Sequence, residues 1–455
     1  MRIPVAAPTA HGRRLRAVTD QLEESQWWSP DLLQGYQFGQ LERLLAHAHE
    51  TVPFYRTRLA AAGYRPGQAI TPEFWRSLPL LERRDLQDQG DALKSTSVPA
   101  EHGGTFKIST SGSTATPVSV WRSDLQALIL GAVVLRKVLW QSWDFRLKLG
   151  AVIATEDGAS FGPAGQCYPD WGWPSALVYQ TGPAVVLDLG VTVVEIAEWL
   201  LREQPDYLRI YPVLLKDLSF HFMDRGLIPP RLKGIMCGAE VITSDLRELV
   251  RRVFGLELFA SYGAREAGTI ALQCPEREHY HVQAEVTLVE VLDDEGKPCA
   301  PGETGTVVVT PLQGFASPLI RYVIGDRAVV GASCPCGRPH PVLAQVVGRT
   351  RHHLVLPSGA RRCNFDALAF WQFDDIRQYQ IVQKSFHDLE VRLVVRRPLT
   401  EEVKAEVARR LKTTTSEHFS VAFTYHDSIP RTPSGKFRDF VCEVAADAPG
   451  AVGHA

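Results

Sequence analysis

Apolar residues along this chain recur in two rhythms, one of three to four residues and one of two. The switches between them outline its elements. Leu41, Leu44, Leu45 and Ala48 fall at helical spacing and predict a helix over about 36–62, interrupted at Pro53. The run Ala127-Leu-Ile-Leu-Gly-Ala-Val-Val-Leu135 stops at Arg136-Lys137, too short to cross a membrane, and reads as a buried helix. Leu147-Gly-Ala-Val-Ile-Ala154, Ala184-Val-Val-Leu187 and Gly234-Ile-Met-Cys237 read as short buried strands. Between them, Val191 to Arg202 and Ser244 to Phe254 carry amphipathic helical patterns, the second opened by a Thr243-Ser244-Asp245 cap. Strands alternating with helices from about 125 to 345 predict an α/β core with parallel pairing.

Within that span, about 282–330, the pattern turns β-rich. Val286-Thr-Leu-Val-Glu-Val-Leu292 and Gly305-Thr-Val-Val-Val-Thr310 flank the turn Asp293-Asp-Glu-Gly296, a hairpin signature that implies a β-rich subdomain. After about residue 350 a compact block follows. Gln378 to Val382, Leu389 to Val395 and Val421 to Tyr425 read as strands and Thr400 to Leu411 as a helix, enough for a small α+β domain of its own.

With 455 residues, the chain exceeds what one core usually organises, so two domains or more are expected. A formal net charge of -2 supplies no basic field for nucleic acid, and no stretch has the length of a membrane span. Met1 to Arg16 holds prolines and arginines without a cleavable apolar run, and reads as a frayed tail without a secretory signal. Eight cysteines in so long a chain do not imply a disulfide scaffold. Cys167, Cys237, Cys363 and Cys442 read as buried thiols, and a reducing cytoplasm is the expected compartment.

The chemistry concentrates in one loop and a series of later motifs. Lys107-Ile-Ser-Thr-Ser-Gly-Ser-Thr-Ala-Thr-Pro117 offers backbone N–H groups and neutral hydroxyl donors around Gly112, which suits a polyphosphate. The same cluster taken alone is ordinary turn chemistry. Gly238-Ala-Glu240 follows a buried strand. Next come Ser261-Tyr-Gly-Ala-Arg-Glu266, Arg321-Tyr-Val-Ile-Gly-Asp326, Gly348-Arg349 and Pro430-Arg-Thr-Pro-Ser-Gly-Lys-Phe-Arg438. A phosphate loop of the Gly-x4-Gly-Lys-Ser/Thr type is ruled out by Pro430 and Phe437, and no dinucleotide fingerprint follows a strand.

This ordered series resembles the adenylate-forming superfamily of acyl-CoA synthetases, nonribosomal adenylation domains and luciferases. Within it, Gln40-Leu-Glu-Arg-Leu-Leu-Ala-His-Ala-His-Glu-Thr-Val-Pro-Phe-Tyr55 and Arg377-Gln-Tyr-Gln-Ile-Val-Gln383 are similar to the phenylacetate–CoA ligase branch. The resemblance implies a large adenylate-forming domain over 1–348, with parallel sheets and a β-rich subdomain. A small mobile α+β domain over 349–455 would carry the catalytic lysine. It implies ATP, Mg²⁺ and CoA as cofactors, and a small carboxylic acid, aryl or arylacetyl, activated as an acyl-adenylate.

The motif residues acquire roles from the resemblance. Thr110, Ser111, Gly112, Ser113 and Thr114 would hold the β- and γ-phosphates. Gly238, Ala239 and Glu240 would wall the adenine slot opposite Tyr262 and Gly263. Glu266 would help hold Mg²⁺, Asp326 would accept both ribose hydroxyls, and Arg349, just before the interdomain hinge, would join the nucleotide-binding set. Lys436 would bridge the attacking carboxylate and the α-phosphate. Each role fits the need to neutralise charge when one anion meets another. Taken singly, Tyr262 reads as a core aromatic, Asp326 as a turn acid and Lys436 as a solvated lysine; their order overrides that.

Two departures stand out. Ala115-Thr116 replaces the usual glycine and lysine of the loop, and Arg351-His352-His353 replaces acidic hinge residues. They motivate an alternative in which an amine, a carrier-protein thiol or an inorganic nucleophile takes the acyl group instead of CoA. A degenerate nucleotide binder is the third reading, opposed by the intact Glu266, Asp326 and Lys436. Trp171, Trp173 and Tyr179 either line the acid pocket or pack in the core. Finally, Cys274, His279, His281, Cys334 and Cys336 flank the β-rich segment. They read as a structural Cys₃His zinc set with His281 ahead of His279, or as free thiols.

Overall fold

The structure is a computed structural model that describes residues 9–109, 118–154, 161–228, 232–349, 354–356, 361–362, 373, 375–415, 419–430 and 440–444. Its centre is one 12-stranded sheet. Five adjacent strands run parallel: Leu258–Ala264, Gly234–Gly238, Tyr207–Arg209, Leu149–Val152 and Ala184–Leu187. Antiparallel strands continue the sheet on both sides. Gln166–Tyr168 closes one edge. On the other, Gly268–Gln273, Tyr280–Val282, Val342–Arg349, Tyr322–Val330, Thr304–Pro311 and Thr287–Leu292 follow in spatial order.

Helices cover both faces of the parallel part, as short buried strands demand. Val193–Glu203, Pro212–Arg225 and Ser244–Phe254 bury Trp199, Leu215 and Val250 on one face with Leu208, Ile235 and Leu258. Ala10–Ser25 and Asp124–Trp140 cover the other, over Leu149, Ala184, Tyr207 and Met236. The strand pleat sorts side chains between faces: Tyr207 belongs to the second core and Leu208 to the first.

The N-terminal segment corrects the expectation of a frayed tail. From Thr9, whose hydroxyl caps Gly12 N–H at 3.0 Å, it forms the 16-residue helix Ala10–Ser25, with Leu15 fully buried. Leu15, Leu22 and the buried Thr19 and Ser25 make a stripe at helical spacing, which the polar composition between them masks. The helix expected over 36–62 is two, Pro30–Thr51 and Pro53–Ala61, broken at Val52 where proline removes the donor.

Buried in this assembly is an ionic cluster. Arg136, fully enclosed, donates to both Glu285 carboxylate oxygens at 2.9 and 3.2 Å and to Gln283 at 3.0 Å. His340 lies 3.2 Å from Glu285, and Ser25 donates to it at 2.6 Å. The cluster joins both helices of that face to the antiparallel half of the sheet.

The C-terminal block forms a separate four-stranded sheet ordered Ser420–Tyr425, Asp388–Val395, Ile376–Gln383, Phe440–Cys442. Its helix, Glu401–Thr415, helps enclose a core of its own around Ile381, Val391, Leu393 and Leu411. Arg377 and Gln378 tie this sheet to the large domain through Asp224 at 2.6 Å and Asp217 at 2.9 Å.

Candidate active site

The C-terminal ends of parallel strands are where an open α/β sheet presents a crevice, and the motifs around Gly238, Tyr262 and Asp326 gather there. Gly238 ends its strand, and Ala239 follows at φ +70, a left-handed backbone that non-glycine residues seldom adopt. Glu240 turns back and accepts from Val213 N–H at 3.2 Å. On the adjacent strand, Ser261 pairs with Gly238. Gly263 passes so close to Gly268 that a Cβ would stand 2.5 Å from its carbonyl oxygen, so glycine is required there.

Tyr262 and Asp326, 64 residues apart, meet: the phenol donates to Asp326 Oδ2 at 2.8 Å. Asp326 is therefore tied to Tyr262 rather than standing as an isolated turn acid. Tyr262 fixes one carboxylate oxygen and leaves each oxygen lone-pair capacity for further donors. Gly325, at φ +86, precedes it, and Arg349 stands directly across in the neighbouring strand.

Glu266 is buried and has two partners that sequence reading missed. Tyr322 donates to it at 3.2 Å and the Arg83 guanidinium lies 3.7 Å away. Burial and the Glu266 charge raise the pKa of Tyr322, so its phenol stays protonated. Arg83 arrives because Leu81 adds to the edge of the Tyr322 strand, exchanging backbone bonds with Arg321 and Val323, both at 2.9 Å. No local pattern around residue 83 could have revealed that.

The phosphate-loop residues Thr110, Ser111, Gly112, Ser113 and Thr114 lie outside the described residues, as do Lys436, Cys363 and Arg351-His352-His353. The legs of the loop are described. Thr105–Ser109 and Ser119–Ser123 pair antiparallel, and Ser109 and Ser119 hydroxyls approach to 2.7 Å. Beside them Arg122 donates to the Arg265 carbonyl at 2.9 Å, while its buried Nε has no partner among the described residues. Burial and the nearby Arg265 charge lower its pKa to about 10. A half-buried guanidinium with an unused, buried Nε donor suits an anion at that loop, and residue type alone did not single it out.

The aromatic stretch divides. Tyr179 stacks on Phe145 at 4.2 Å and Trp171 packs against Phe145 and Tyr207, so both are core residues. Trp173 is 57% exposed and lies over Gly131 of the Asp124–Trp140 helix.

A second group of donors sits behind the crevice, where neighbouring antiparallel strands turn. One ligand atom each of Cys274, His279, His281 and Cys334 lies within 4.8 Å of the others, and Cys336 Sγ is 3.4 Å from His281 Nε2. All five residues expected from the sequence are together, His279 included. Burial, with His340 and His279 adding to it, lowers the pKa of His281 to about 3, leaving a neutral, ligand-competent imidazole. Burial raises Cys334 to about 12 and raises Cys274. Buried His279 Nε2 and His281 Nδ1 lack hydrogen-bond partners among the described residues. Orphaned nitrogens beside thiols match a soft N/S donor set. Elsewhere, Cys237 is buried as expected, but Cys167 is exposed and Cys442 only half-buried.

The model of the AMP-binding enzyme family matches residues 77–313, more than half of the chain. The chain belongs to the AMP-binding enzymes. A second model, the CapK C-terminal domain, matches residues 364–443. Among curated proteins, this AMP-binding enzyme is 26% identical to the phenylacetate-coenzyme A ligase of Thermus thermophilus, over 89% of this chain and 95% of that one. It is 25% identical to the ligase of the same name from Pseudomonas putida, over 75% of each. Among solved structures, its fold matches 2-hydroxyisobutyryl-CoA ligase in the postadenylation state with 2-HIB-AMP. That match has a TM-score of 0.70 and 20% identity, and covers 90% of this chain and 89% of the other. Against the same ligase in its thioesterification state the TM-score is 0.57.

Proposed function

We propose that this AMP-binding enzyme is an ATP-dependent acid–CoA ligase that works through an acyl-adenylate. One observation carries the reading. Gly238–Glu240, Tyr262, Asp326 and Glu266 converge at the C-terminal ends of the parallel strands, although they come from segments far apart in the chain. Curated relatives aligned over most of the chain are named as phenylacetate-CoA ligases.

In the first half-reaction a carboxylate oxygen attacks the α-phosphorus of ATP, and pyrophosphate leaves. The hydroxyl loop and Arg122 offset charge on the departing phosphates, and Lys436 draws the two reacting anions together. Asp326, steadied by Tyr262, accepts from the ribose. Glu266 would hold Mg²⁺ through its carboxylate, a hard donor for a hard cation. In the second half-reaction the CoA thiolate attacks the acyl carbonyl and AMP leaves. The small domain, bounded near residue 349, repositions between the two steps. The Cys274–Cys336 cluster holds structural zinc, remote from the chemistry. The names of the relatives favour an aryl or arylacetyl acid.

ATP–pyrophosphate exchange against a panel of aromatic and aliphatic acids tests adenylation without CoA. Adding CoA then should yield AMP and a thioester of the exchanging acid, identified by mass. Exchange without any thioester would remove CoA as acceptor, and absence of exchange with every acid would sink the ligase reading.

A further inference from the structure

The crevice contains two cations to which the proposed chemistry assigns no role. Arg209 ends the short strand Tyr207–Arg209, centrally placed in the sheet between Leu149–Val152 and Gly234–Gly238. By pleat alternation it shares the face of Tyr207, the face covered by the Asp124–Trp140 helix. Its register partners there are Ala151 and Met236, both neutral. A residue on a central, helix-covered strand should be buried, yet Arg209 is exposed. It must therefore look into an opening between helix and sheet.

The helix supplies the other wall. Leu130, Val134 and Lys137 follow one another at i, i+4, i+7, and all three are only half-buried, whereas Gly131, Val133, Leu135, Arg136 and Val138 beside them are buried. Leu130 packs at Gly268, beside the Tyr262–Glu266 turn. Lys137 is two helical turns further on and feels the charge of Arg209. The stripe thus runs from the nucleotide motifs to a basic end. Met236, the register partner of Arg209, lies two residues before Gly238, about 6–7 Å down the strand. The two cations therefore lie deeper than the Gly238–Glu240 wall.

Among the described residues the side chain of neither Arg209 nor Lys137 forms an ion pair or donates a hydrogen bond. Though solvent reaches both side chains, their depth in the fold lowers Lys137, beside the Arg209 charge, to about 7 and lowers Arg209 as well. Two adjacent cations with no carboxylate partner among the described residues are costly to the fold, and such groups in a cleft mark a ligand. Resting on the ligase reading, we propose that Arg209 and Lys137 bind a second anionic group of the acid substrate. That group, a carboxylate or a phosphate, sits at the end remote from the carboxylate that is activated. The enzyme is then selective for dianionic acids.

The test compares matched acids in pyrophosphate exchange: phenylacetate with 4-carboxyphenylacetate and 4-phosphonophenylacetate, and butyrate with glutarate. Binding of each is measured in parallel by calorimetry. A dianionic member should exceed its monoanionic partner in kcat/KM, and the better of the carboxylate and phosphonate names the group. Arg209→Leu and Lys137→Met should each lower that ratio about tenfold to a hundredfold, the worth of a charge-assisted hydrogen bond. The ratio cancels any general loss of activity or folding. Equal or better use of the monoanionic acids by the parent, or variants with an unchanged ratio, overturns the inference and leaves the ligase reading standing. Calorimetric binding of a dianionic acid that is lost in Arg209→Leu, without exchange from any acid, sinks the ligase reading and keeps only the anion site at Arg209. Neither exchange nor binding by any acid overturns both.

Discussion

Tyr262 and Asp326 illustrate how a side chain's task is set by what it meets. The acid by itself offers two oxygens to a pair of donors, but the phenol on one of them orients it before any ligand arrives. Tyr262→Phe removes that bond and little else. The expected outcome is a rise in KM for ATP of roughly fivefold, equivalent to about 1 kcal/mol, with a smaller change in kcat. An unchanged KM would show that the acid needs no such support. Lys436 is proposed to act on the reacting atoms, so Lys436→Ala should cut pyrophosphate exchange about 10²–10³-fold, comparable with loss of an oxyanion donor. An active alanine variant would return the chain to the nucleotide-binder reading. The motifs single out both residues in the sequence by type and order, and Lys436 itself lies outside the described residues. Arg83 and Arg122 were not legible there, since each gains its meaning from a partner brought by the fold.

The Asp124–Trp140 helix serves two environments. One stripe meets the crevice; another inserts Arg136 into the ionic cluster with Glu285, Gln283 and His340. Arg136→Met leaves Glu285 buried without its cation and should destabilise the protein by about 3–5 kcal/mol, read from the denaturant midpoint. Replacing both, Arg136→Met with Glu285→Leu, should recover much of that loss, and failure to do so would mean that the helix contact itself dominates. The cluster also predicts a pH dependence. Burial alone would raise Glu285, but Arg136 and His340 outweigh it and hold the carboxyl well below the ordinary carboxylate range. The depressed folded pKa stabilises above the unfolded value, about pH 4.3. That contribution should fade as pH falls from there, and the Arg136→Met variant should show a flatter acid limb.

At the scale of the whole molecule, antiparallel strands far apart in sequence gather the Cys274–Cys336 donors on one side of the sheet. Purified protein should contain close to one zinc per chain by elemental mass spectrometry. Cys334→Ser should lower both zinc content and Tm. Protein free of metal with an unchanged Tm would mean that the group is a cluster of ordinary thiols. Among the described residues no helix is long and apolar enough to cross a membrane. The small sheet meets the Pro212–Arg225 helix through Arg377, Gln378 and Tyr379, the last beneath the Lys216 ammonium at 4.8 Å.

By itself the sequence determined the α/β class, most elements and the ordered motifs, because periodicity and turn chemistry are local. Ser244–Phe254 and Ala184–Leu187 lie where their patterns put them. The strand Tyr207–Arg209 could not be read: three residues ending in arginine carry no β rhythm, and only pairing on both sides makes them a strand. The joining of parallel and antiparallel halves into one sheet, the packing of the first helix and the meeting of Glu266 with Arg83 were decided by the tertiary structure. These are contacts between distant segments, whose free energy comes from shared burial and complementary charge, and no window of neighbouring residues contains both partners.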